Sequence, residues 1–137
     1  MHGIIEHEGR FFRQANHKAY GARVTVRIQQ SPGDATIHVD CSSSEWPTEP
    51  EWETGDRSGG AYALQALPEQ RIAVDIIQIV GLITDTNPTI VAVAAIFAVW
   101  GGVGYQAPQP EIARLEGVAL ASWQHPYNFL PILGEQN

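Results

Sequence analysis

One cysteine, Cys41, is all that the chain of 137 residues contains, so no disulfide can close within it and no multi-cysteine zinc site can form. That economy suits a reducing compartment, and the cytoplasm is the expected location. Long hydrophobic runs are missing too. Asp75, Asp85 and Pro88 divide the most apolar stretch into pieces too short to cross a bilayer, so no membrane partner is expected. Residues 1–8 lack the apolar segment of a secretory signal. The absence of internal repeats and low-complexity tracts excludes a repeat array and leaves one globular unit. A chain of this length buries roughly two-thirds of its unfolded surface in a single core and needs no covalent staple.

What is present is organised around residues 71–104. Residues 71–80 are dense in Ile and Val, which pack well on a pleated surface and lose rotamer freedom in a helix, so they read as a strand. Asn87 and Pro88 then supply an N-cap and a first helical residue. Val93, Ile96, Phe97 and Trp100 fall at helical spacing, and Gly101-Gly102 offers a left-handed stop.

The net charge of −7 is unevenly spread. Residues 1–30 carry Arg10, Arg13, Lys18, Arg23 and Arg27 against Glu6 and Glu8, a local +3. Residues 31–60 carry seven acids against Arg57 alone, a local −6. An acidic whole argues against a broad non-specific nucleic-acid surface, while a basic N-terminal segment leaves room for a small contact site.

In chain order, residues 3–12 form a candidate first strand and residues 13–21 a polar loop. Val24, Val26 and Ile28 then alternate with Arg23, Thr25, Arg27 and Gln29, a strand with one wet face. Ser31-Pro32-Gly33-Asp34 is turn chemistry, and residues 36–41 return as a strand, most simply as an antiparallel hairpin. Residues 42–53, with Pro47, Pro50 and four glutamates, read as an exposed loop carrying Trp46 and Trp52. A helix capped by Thr54 or Asp56 runs to about Leu67, with Gly60, Ala63, Leu64 and Leu67 on one face. Residues 105–110 are a linker, residues 111–123 fit a helix or a strand, and the proline-containing end lies extended over the domain or a partner chain. The expected class is α+β, a two-layer sandwich with a mostly antiparallel sheet and two helices on one face.

This order of elements resembles domain IV of elongation factor G, the ribosomal translocase. That domain opens with a strand and a loop of the form Gln-x-Gly-Gly-x-Gly-Gln-Tyr-Gly, and Gln14-Ala15-Asn16-His17-Lys18-Ala19-Tyr20-Gly21 stands in the same place here. The family's glycine-bearing helix is similar to residues 55–67, its Val-x-Asp-Val-x-Val strand to residues 74–79, and its alanine-rich last helix to residues 90–100. Residues 4–104 are covered, leaving 105–137 as a C-terminal extension. The loop glycines are replaced by Ala15, Asn16, His17 and Ala19, the second family loop has shrunk to Asp85-Thr86-Asn87, and no GTPase domain is present. The resemblance implies a translation-factor-like domain that stands alone, without catalytic activity or cofactor. By the same resemblance it is expected to contact RNA or the ribosome through Arg13, Gln14, Asn16, His17, Lys18 and, from the second loop, Asn87. Cations neutralise phosphates there, and amides bond to sugar or base edges.

The same residues also make an ordinary polar loop. A protein-interaction module, homo-oligomeric through the C-terminal extension or using the Trp46/Trp52 loop, is the alternative. His38 and Asp40 share a strand face, but two ligands are too few for a metal, and Cys41 has no base nearby in sequence. Asp75 is expected on the solvent face of its strand, because a buried carboxylate needs a partner.

Overall fold

The computed structural model describes residues 3–15, 18–82 and 84–124. Seven elements follow in order: β1 (Ile5–Ala15), β2 (Lys18–Gln30), β3 (Thr36–Val39), α1 (Pro50–Gln65), β4 (Ile72–Val80), α2 (Pro88–Val103) and α3 (Gln109–Ala121). The strands form one sheet of order β1-β2-β4-β3, antiparallel except where β3 runs parallel to β4. Helices α1 and α2 lie side by side against one face, as expected from the sequence, with α2 over β1 and β2 and α1 over β3 and β4.

The sheet departs from expectation at β3, which does not return as an antiparallel partner of β2. Ser31 does build the turn, its hydroxyl accepting from Gly33 N (3.2 Å) and donating to the Asp34 carbonyl (2.9 Å). The place beside β2 is nevertheless taken by β4, paired from Arg23↔Val80 to Gln30↔Ile72, and Ser31 N extends that ladder to the Arg71 carbonyl. A nine-residue strand rich in Ile and Val offers more buried pairing than the four residues of β3, which join the far side of β4 instead. Arg71–Val80 therefore sits inside the sheet. A bulge between Thr25 and Val26 skips Ile77 on β4, which is why the alternation of buried residues there slips by one after Ile76.

Helix α2 starts where the sequence places it. Asn87 Oδ1 accepts from Ile90 N (2.9 Å), and Pro88 takes the first turn. Its end comes later than Gly101-Gly102. The left-handed residue is Gly104 (φ 74°), with Gly104 N bonded to the Gly101 carbonyl and Tyr105 N to the Trp100 carbonyl, a Schellman pattern. Nearly every side of α2 is buried, because the sheet, α1 and α3 enclose it. Residues 111–121 resolve as helix, adding a third helix to the two expected.

Helix α1 begins at Pro50, earlier than the Thr54 or Asp56 start expected, so Trp52 belongs to its first turn and is buried rather than displayed on a loop. Prolines and glutamates mark loops by composition, yet Pro at the first position and acids in the first turn are also what a helix start favours. The glycines of α1 serve chiefly its contact with α2. A Cβ at Gly55 or Gly59 would come within 2.8 Å of the carbonyl carbon of Pro88 or Ala92. The core fills the space between these helices and Phe11, Val24, Val26, Ile28, Val74, Ile76 and Ile79 of the sheet.

The opposite face carries Glu6, Glu8, Arg23, Arg27 and Asp75, knitted by the ion pairs Glu6–Arg27 (3.2 Å) and Glu8–Arg23 (3.4 Å). Asp75 lies on this solvent side as expected, 3.8 Å from His38 Nδ1. No helix among the described residues is long and apolar enough to cross a membrane.

Candidate nucleic-acid interface

β1 and β2 form a long hairpin whose last registered pairs are Arg13↔Tyr20, Gln14↔Ala19 and Ala15↔Lys18. Arg13, Gln14 and Lys18 thus belong to strands rather than to the loop over 13–21 expected from polarity alone. Alternation of faces breaks down where both faces are wet, so the strand signal is lost in the sequence. Asn16 and His17, which stand between the two strands in the sequence, lie outside the described residues.

Arg13, Gln14 and Lys18 are exposed at this tip. The Arg13 guanidinium donates to the Phe12 carbonyl (2.8 Å), pairs with Glu116 of α3 and lies 5.1 Å from the Phe11 ring centroid. Lys18 Nζ sits 4.4 Å from the centroid of Trp123. Beside them Phe12 is 53% exposed and covers Gly21, where a Cβ would meet its ring at 2.5 Å. Phe12, Arg13, Gln14, Tyr20, Gly21 and Asp85 line a shallow recess of about 420 Å³.

Asn87 is placed differently. It is 8% exposed, with Oδ1 capping α2 and Nδ2 donating to Ser122 Oγ (2.8 Å), so its amide faces inward and fixes the end of α3 to the start of α2. The turn before it docks on the hairpin. Gly21 N donates to the Asp85 carbonyl (2.9 Å), and Thr86 Oγ1 donates to the Gly21 carbonyl (2.5 Å). Phe12, Glu116 and Trp123 were missed as parts of the tip. The two from the C-terminal segment meet it across about a hundred residues of chain, a juxtaposition no local pattern encodes.

The other candidate chemistry is dispersed. Asp40 turns to accept Ser42 N (3.1 Å), and bonding from Ser42 holds its carboxyl below the usual range. Burial, followed by the charges of Asp56, Glu53 and Asp40, pushes the Cys41 thiol up to about 11, so it is protonated at neutral pH and unsuited to attack. Among the described residues no group of three His, Cys, Asp or Glu side chains is placed to hold a metal ion.

No protein-family model and no curated protein matches the sequence. Solved structures do. A protein of Thermus thermophilus superposes with a TM-score of 0.62 at 12% identity, over 89% of this chain and 20% of its own. The mevalonate kinase of Methanococcus jannaschii superposes more loosely, with a TM-score of 0.48 at 14% identity over 91% of this chain and 48% of its own. The chain thus spans a fifth of the first protein and under half of the second. Its fold is that of elongation factor G domain IV, and a shared fold fixes no activity.

Proposed function

We propose that this domain contacts RNA or a ribonucleoprotein through the tip of the β1–β2 hairpin, with Arg13 and Lys18 on phosphates, Gln14 on sugar or base edges and Asn16 and His17 adding further polar contacts. Asn87 contributes by anchoring the turn beside the tip. The observation that carries this reading is the gathering of two exposed cations, an amide and a half-exposed aromatic ring at the end of the β1–β2 hairpin of an otherwise acidic chain. Arg13 is paired with Glu116, but an exposed ion pair is worth about 0–1 kcal/mol, so a phosphate can replace the carboxylate. An unpaired base can stack on Phe12.

Fluorescence anisotropy with a short single-stranded RNA over a range of salt tests the reading. Each neutralised phosphate lowers the slope of log K against log salt by roughly 0.7, so Arg13→Ala and Lys18→Ala each remove about that much. Salt-dependent binding that is indifferent to both substitutions would place the contact elsewhere, and no binding at low salt would end the proposal.

A protein-interaction role through the acidic segment is the second reading. It is favoured by Trp46, which is 50% exposed in the loop before α1. Trp46→Ala would then abolish capture of a partner while leaving RNA affinity unchanged.

A further inference from the structure

β1 hydrogen-bonds to β2 on one side, and among the described residues no strand pairs with its other edge. That edge is eleven residues long, contains no proline, and the bulge of the sheet lies away from it, between β2 and β4. Such an edge is a template for another strand unless it is blunted. The residues on its helix-free face are Ile4, just before the strand, then Glu6, Glu8, Arg10 and Phe12. Ile4 and Phe12, at the two ends of this row, are 63% and 53% exposed.

The row is complementary to itself. From these observations we propose that the outer edge of β1 pairs antiparallel with the same edge of a second copy of this chain, about a two-fold axis at Glu8, making a continuous eight-stranded sheet. In that register Ile4 of each copy faces Phe12 of the other, and Glu6 faces Arg10, each pair occurring twice. Glu8 meets its own copy at the axis, where its carboxylate is already held by Arg10 (2.5 Å) and Arg23 (3.4 Å), so four cations surround the two acids. Sliding the strands by two residues in one direction sets Glu6 against Glu8. Sliding them the other way sets Glu6 against Phe12. The first shift loses the matched charges and the second keeps only Glu8 against Arg10 while setting Glu6 on the Phe12 ring, so the unshifted register alone joins opposite charges and apolar ends together. The two hairpin tips then point from opposite ends of the joint sheet. The row facing the partner ends at Phe12, so Arg13, Gln14 and Lys18 lie beyond it. The Phe12 ring is shared, and packing on Ile4 of the second copy competes there with a stacked base.

Sedimentation equilibrium on the full chain tests this, with far-UV circular dichroism confirming that each variant is folded. The wild type is expected to be a dimer at about 100 μM, and Glu6→Arg or Arg10→Glu alone to weaken association by about tenfold or more, because each sets like charges face to face. The double variant Glu6→Arg/Arg10→Glu restores the opposite charges and is expected to recover the dimer. Where a charge reversal disturbs folding, Ile4→Asn, at an exposed position, gives an independent weakening. A monomeric wild type at that concentration, or a dimer that tolerates both single reversals, overturns the proposal. So does a double variant that stays as weak as the single ones.

Discussion

Asp56 is the residue whose chemistry is least at ease in this fold. It is fully buried in α1 and neither carboxyl oxygen has a hydrogen-bond partner. Burial first, and the charge of Glu53 second, push its carboxyl well above the ordinary range. The folded state therefore holds this proton to higher pH than the unfolded chain, where Asp titrates near about 3.9. The stability it contributes is complete below that unfolded value and is lost as pH rises through the folded one. Asp56→Asn should remove this slope from thermal melts taken between about pH 4 and 8, and raise stability at neutral pH by ~1–3 kcal/mol. Parallel pH profiles for the two proteins would contradict the assignment. Asn87 is the opposite case, a buried polar group whose amide oxygen and nitrogen are both hydrogen-bonded. Asn87→Ala should cost ~1–3 kcal/mol in urea unfolding, since it removes a cap and leaves Ser122 without one partner.

Among the elements, α1 and α2 approach each other closely because Gly55 and Gly59 present no side chain to the α2 backbone. Gly59→Val should destabilise the fold by ~1–3 kcal/mol or more in chemical denaturation, because the new atoms meet the Ala92 carbonyl rather than a side chain that could turn away. These helices, the interior strand β4 and the wet face of β2 were legible in the sequence, since each is marked by periodicity or by a cap. The partner of β3 was not, because pairing is decided by competition for β4 and β2 across the whole sheet. The start of α1 was hidden as well, since Pro50 and its glutamates serve a loop and a helix N-terminus equally well. At the tip, Arg13, Gln14 and Lys18 were legible as residues but not as strand ends, and Asn87 was legible as a cap. Its bond to Ser122 needed the path of α3, for which the sequence left helix and strand equally open.

On the scale of the whole molecule, the C-terminal segment is tied to the hairpin tip. Glu116 of α3 holds Arg13, and Trp123, just after α3, lies under Lys18, so the two residues compete with any polyanion for the two cations. Removing the first competitor should tighten RNA binding. Glu116→Gln is expected to raise affinity by about two- to fivefold at low salt, within the range of an exposed ion pair. Weaker binding by this variant would mean that α3 organises Arg13 for its ligand instead of shielding it. The overall charge sharpens the expectation, because a net charge of −7 disfavours polyanions except where cations gather.

The most direct measurement is an amide chemical-shift titration of the isotopically labelled chain with a short single-stranded RNA. The account predicts perturbations that begin at Phe12, run through Gln14 and Lys18 to Gly21, and extend to Asp85, with Ser43, Ser44 and Trp46 unmoved. Perturbations centred on those last three residues, or none at all at low salt, would contradict it.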